Sequence, residues 1–140
     1  MADPDLSHLL LTAFRSLDAE IGRGLQDRGV SDIRPSQAAA LLLVDRAGTR
    51  LTELAHRAAI TKQAMMQIVD ELESLGCVRR LPDDADARAK VVRLTAKGLR
   101  HRAAARKSVQ GVEMRVRRSL GERRYEALRG TLADLTSPEE

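Results

Sequence analysis

Apolar residues recur every three or four positions from Leu6 to Leu25. Leu6, Leu10, Phe14, Leu17, Ile21 and Leu25 fall on one helical face, which predicts a helix over about residues 5–28. Leu9 and Leu11 add apolar surface outside that face, so this helix needs more than one neighbour to cover it. Gly29 stands where a helix stops. A second helix begins near Pro35, since proline suits a first turn whose N–H groups lack helical partners. It runs to Val44, ahead of Gly48, and its Ala38–Val44 stretch is apolar on nearly all sides, as in a central buried helix. Thr52 is a suitable N-cap for a short helix through Arg57. Ala58-Ala59-Ile60 forms a tight connection, and Thr61 caps a longer helix to Leu75. That helix carries Met65, Ile68, Val69, Leu72 and Leu75 on its inward stripe, with Gly76 just past its end.

The period then drops to two. Cys77–Leu81 and Lys90–Leu94 read as short strands around a polar, turn-rich tip, Pro82–Ala89, and together predict a β-hairpin. Thr95 caps a long helix from Ala96 to about Arg118, weakened locally by Gly98 and Gly111. A last helix runs from Glu122 to about Leu135 and carries Tyr125, Leu128, Leu132 and Leu135. The expected fold is therefore mainly α with a small β-hairpin, six helices in one domain over 1–140. Its middle, about 35–94, is a helix-turn-helix followed by a hairpin wing.

That order of elements carries a physical reading. The second helix of such a pair lies in a major groove with its N-terminal residues at the base edges. Here those residues are Thr61, Lys62, Gln63, Met66 and Gln67, and none is a carboxylate. Met66 suits a thymine methyl, and the helix N-terminus offers free N–H groups and a positive dipole to phosphate. Asp70, Glu71 and Glu73 are held back to the C-terminal half. On the wing, Arg88 is placed to reach a minor groove, where the potential is most negative. Asp86, two residues earlier, would hold the Arg88 guanidinium in one orientation before docking. Lys90 and Arg93 on the returning strand can meet phosphate, whereas Asp83 and Asp84 oppose DNA unless they point away.

Charge distribution agrees with this picture without deciding it. The 140 residues carry a net charge of +4. Residues 1–78 hold 8 basic and 11 acidic side chains, whereas residues 79–140 hold 16 and 9. Twenty of the 24 basic residues are arginine, whose fork pairs bidentately with phosphate and guanine edges. The two aromatics, Phe14 and Tyr125, are too few for binding by base stacking. Cys77, the single cysteine, excludes an internal disulfide, and His8, His56 and His101 form no spaced metal pair, so no metal or cofactor is expected. No nucleophile–base pair or phosphate-cradling glycine loop is present, which argues against an enzyme. The N-terminus has two early acids and no basic segment, and no run approaches the ~18 apolar residues of a membrane span. A cytoplasmic protein with no membrane partner is expected.

The stretch Leu54-Ala55 followed by Ile60-Thr61-Lys62-Gln63-Ala64-Met65-Met66-Gln67-Ile68-Val69-Asp70-Glu71-Leu72 resembles the helix-turn-helix of MarR-family transcription regulators. Asp86-Ala87-Arg88-Ala89-Lys90, then Leu94-Thr95-Ala96-Lys97-Gly98, is similar to that family's wing and the start of its fifth helix. The resemblance covers essentially the whole chain. It implies an obligate homodimer built from the N- and C-terminal helices, about 5–28 and 95–136. It implies a pseudo-palindromic double-stranded operator, with Thr61 to Gln67 in the major groove and Arg88 in the minor groove. It also implies control by a small-molecule effector whose identity and pocket residues are unknown. Cys77 departs from the larger aliphatic or aromatic residue frequent at its position in the family.

Each assignment has a plainer counterpart. The Thr61–Gln67 face also fits an ordinary solvated helix surface, and Arg88 with Asp86 an exposed ion pair of little energetic weight. The same basic face would suit an acidic protein, making the lobe a protein-interaction module. Cys77 would support a redox-responsive regulator if exposed with a low pKa, and a small core residue if buried.

Overall fold

The computed structural model describes residues 2–137. Asp5 accepts a hydrogen bond from the His8 amide at 2.8 Å and so starts α1, Leu6–Asp27. Pro35 opens α2, Pro35–Leu43. A two-residue strand β1, Thr49–Arg50, leads directly into α3, Leu51–Ala58. Thr61 caps α4, Lys62–Ser74, by accepting from the Ala64 amide at 3.1 Å. Strands β2, Val78–Pro82, and β3, Lys90–Leu94, form the wing. Thr95 caps α5, Ala96–Leu120, and α6 spans Glu122–Thr136. The six expected helices are all present.

Four local expectations are corrected. The sheet has three antiparallel strands in the order β1-β3-β2, not a hairpin alone. Thr52 does not cap α3: extended pairing of β1 with β3 carries the chain to Arg50, and the helix begins at once at Leu51. Cys77 does not enter the strand. Its N–H is spent on the Leu72 carbonyl at 2.9 Å and that of Gly76 on Glu73 at 3.0 Å. These two bonds close α4 with Gly76 at a φ of +78°, a conformation glycine adopts without a Cβ penalty. Gly98 is not a weak point of α5, because it allows the helix to touch the Cys77 carbonyl, where a Cβ would not fit.

The core lies under α2, α3, α4 and the sheet. Leu25, Leu41, Leu54, Met65, Val69, Leu72, Cys77 and Val78 are its largest fully buried side chains. Met65 is buried whereas Met66 is 41% exposed, so the α4 stripe faces as its spacing predicts. The α1 stripe does not. Only Leu25 is fully buried, and Leu6, Leu9, Leu10, Leu11 and Phe14 stand exposed at the other end of the helix. Leu128, Leu132 and Leu135 of α6 are likewise uncovered. The chain thus packs the inner half of α1 against α5 and leaves an apolar surface on its terminal helices. No helix among the described residues is long and apolar enough to cross a membrane.

Candidate nucleic-acid interface

The N-terminal half of α4 presents its polar face to solvent. Thr61, Lys62, Gln63, Met66 and Gln67 are all exposed, opposite the buried Met65, Val69 and Leu72. Residues 62 and 66, and 63 and 67, are four apart and share one side of the helix. Thr61 gives its oxygen to the cap but keeps its O–H to donate. Gln67 reaches back toward Glu71, with Nε2 at 3.4 Å from Oε1. The Ala64 amide is spent on the Thr61 cap, and the first amides of the helix have no partner within it, as at any helix N-terminus.

Behind this face, the acids of α4 are occupied. Arg34 and Gln37 each donate to Glu71 Oε2 at 2.6 Å, and they hold its carboxyl below the usual carboxylate range, Arg34 first. Arg80 donates to Asp70 at 2.6 Å and to Glu73 at 3.0 Å. Ion-paired carboxylates of this kind do not face a polyanion with their charge unanswered.

The wing is anchored in a way the sequence pattern does not announce. Arg50 of β1 donates to Asp83 Oδ2 through Nε at 3.0 Å and through a terminal nitrogen at 2.7 Å. This guanidinium holds Asp83 below the ordinary carboxylate range, with help from the Ala85 amide. The opposition expected between Asp83 and DNA is thereby reduced, because the charge is already paired. Asp86 behaves otherwise than expected. Its carboxylate accepts from the Arg88 backbone amide at 3.0 Å, and its carbonyl accepts from the Ala89 amide at 3.0 Å. Asp86 therefore supports the turn and not the guanidinium, since its short side chain reaches an amide two residues on more readily than a long, solvated head group. Among the described residues the Arg88 guanidinium has no hydrogen-bond or ion-pair partner, and the side chain is exposed.

Lys90 and Arg93 are exposed on β3. Arg93 sits directly across from Arg79 of β2, on the face of the sheet opposite the buried Val92. Like charges paired across strands cost stability, and the pair makes a concentrated cationic spot. Arg79 is a residue the linear reading passed over. Alternation from buried Val78, with the strand register, is the signal that finds it. Arg34, Arg50 and Arg80 were passed over as well, because their partners lie in other elements. Cys77 is fully buried, and burial pushes its thiol pKa up, the opposite of a reactive thiolate.

Residues 31–89, the lobe that holds this face, match the sequence profile of the MarR family. The match covers this lobe and makes the chain similar to MarR-family regulators there. Solved MarR-family and related structures superpose on nearly all of the chain. The transcriptional repressor CouR bound to a 23-mer DNA duplex is 27% identical, with a TM-score of 0.80, over 95% of this chain and 93% of that one. CouR from Rhodococcus jostii RHA1 bound to p-coumaroyl-CoA is 24% identical, with a TM-score of 0.82, over 97% and 94%. A probable transcriptional regulator from Pseudomonas aeruginosa is 25% identical, also at 0.82, over 95% and 98%. No curated protein sequence matches the chain. The six helices and three-stranded sheet match those of solved winged-helix MarR-family structures.

Proposed function

We propose that this chain is a MarR-type, sequence-specific, double-stranded DNA-binding transcription repressor that acts in the cytoplasm as a homodimer and answers to a small-molecule effector. One observation carries the reading. The exposed first half of α4 lacks any carboxylate, while the acids nearest to it, Glu71 and Asp70, and Asp83 on the wing are ion-paired. In this reading Thr61, Lys62, Gln63, Met66 and Gln67 enter the major groove and Arg88 the minor groove. Lys90 and Arg93 meet phosphate, and Asp86 shapes the turn that carries Arg88.

Energetics favour two copies. One lobe offers a few base contacts of ~1–3 kcal/mol each, short of what specific binding needs. A rigid pair doubles the contacts and reads two half-sites about one helical turn apart. Uncovered Leu6, Leu10 and Phe14 of α1 with Leu128, Leu132 and Leu135 of α6 support pairing through the terminal helices, about 5–28 and 95–136. The lobe, about 35–94, then hangs from this frame.

Effector control is supported by a cleft of about 530 Å³ between the α1–α2 loop and the C-terminal half of α4, lined in part by Asp32, Arg34, Glu71 and Leu75. A ligand that prefers a mis-spaced pair of lobes would release DNA by population shift. Selection from a random duplex pool tests the reading. Recovery of an inverted repeat, bound with a steep dependence on salt, is expected. A pool that stays random would overturn it.

A further inference from the structure

Asp70, Glu71 and Glu73 are poorly placed for the helix that carries them. Carboxylates in the C-terminal half oppose the negative end of the helix dipole. On a helix docked against phosphate they also repel its partner. Each is answered by an arginine from another element, and the most extensive of these contacts is made by Arg80. One terminal nitrogen donates to Asp70 Oδ1 at 2.6 Å, and the other donates to Glu73 Oε1 at 3.0 Å. The Arg80 backbone amide adds a bond to Glu73 Oε2 at 3.2 Å.

The geometry follows from two periodicities. Asp70 and Glu73 are three apart and share a face of α4. Arg80 is two residues beyond buried Val78, on the same side of β2, and pairs in register with buried Val92. Its side chain is therefore carried on the inner side of the sheet, only 24% exposed, where its planar fork spans both carboxylates. A lysine ammonium in its place is a point charge on a flexible stem and lacks that fork. Strand β2 is itself one side of the wing, so this single guanidinium ties the base-reading helix to the element that carries Arg88.

We infer that Arg80 is a positioning residue for DNA reading: bonded to Asp70 and Glu73, it sets the angle between α4 and the wing so that both meet one duplex at once. The inference rests on the DNA-binding reading above. It makes a claim that mere folding support would not. Partly exposed ion pairs add little to stability, so the urea midpoint should scarcely move, while DNA affinity falls.

The test uses the duplex that the full-length wild-type protein enriches from a random pool, followed by fluorescence anisotropy at fixed salt. Arg80→Gln should bind about tenfold more weakly, and Arg80→Lys should also fall below wild type. Arg88→Ala should cost about tenfold in the wild-type background but less than about threefold in Arg80→Gln, because a wing out of register no longer profits from its arginine. A variant with Arg80→Gln, Asp70→Asn and Glu73→Gln together removes the exposed acids as well, and it should stay weak. Wild-type affinity in Arg80→Gln, equal Arg88→Ala costs in both backgrounds, or restoration in the triple variant would each overturn the positioning role. Failure of the wild-type protein to enrich any duplex would instead overturn the DNA-binding reading on which it rests.

Discussion

Gly98→Ala should destabilise this protein even though alanine is the better helix former. Gly98 is the third residue of α5 and is buried. A Cβ there would fall on the Cys77 carbonyl oxygen and lie 3.0 Å from its carbon. That peptide is not free to retreat. Its carbonyl accepts from the Thr95 amide at 3.0 Å, while Thr95 Oγ1 donates to the Gly76 carbonyl at 2.5 Å and Lys97 to that of Leu75 at 2.7 Å. Helix propensity favours alanine by about 1 kcal/mol, but overpacking costs about 1–3 kcal/mol or more, and a clash with fixed backbone belongs at the upper end. The net expectation is a loss of about 2 kcal/mol. Gly111, on the same helix, provides the internal control. A Cβ there meets nothing within 4 Å, so Gly111→Ala should gain up to about 1 kcal/mol. Urea unfolding followed by circular dichroism, at matched protein concentration, measures both. A Gly98→Ala variant at least as stable as wild type would refute the close approach of α5 to the end of α4.

Other outcomes follow from the same geometry. Lys97 and His101 both bond Asp32 at 2.8 Å, and Lys97 first, then His101, draws its pKa down from 3.8 to about 2 against the opposing effect of burial. A depressed carboxylate stabilises the fold above its unfolded pKa and loses that contribution as pH falls through its folded value. The stability gap between wild type and Asp32→Asn should therefore be full above pH ~4 and close toward pH ~2, and a gap independent of pH in acid titrations contradicts the pairing. Buried Cys77 should resist a maleimide in the native protein and react in denaturant; rapid native labelling would revive the redox reading. Arg88→Ala should weaken binding to the selected duplex by about 1–3 kcal/mol without altering the fold, and Gln63→Ala should change base preference. Arg93→Ala, by contrast, should weaken all sequences alike and lower the salt slope by about 1. A repeated selection with each variant separates these patterns.

Much of the lobe was legible because its signals are local. Thr61 and Thr95 cap their helices, Gly76 ends α4, and Met65 and Met66 part to opposite faces, all from spacing alone. What escaped was non-local. Strand β1 has two residues and no period to detect, yet its pairing with β3 displaced the start of α3 from the cap at Thr52. The partner of Asp83 is Arg50, 33 positions earlier, and that of Asp70 is Arg80 across a turn and a strand. Asp86 followed its shortest route, to a backbone amide, and left the Arg88 head group unheld. The outer half of α1 carries a helical stripe that the chain itself never covers, so its burial cannot be read from periodicity within one copy.

Native mass spectrometry of the protein with its selected duplex, in the presence of excess random competitor, tests the central claim most directly. The account predicts two chains on one duplex, held in preference to the competitor. A single chain per duplex, or loss of the complex to random DNA, would contradict it.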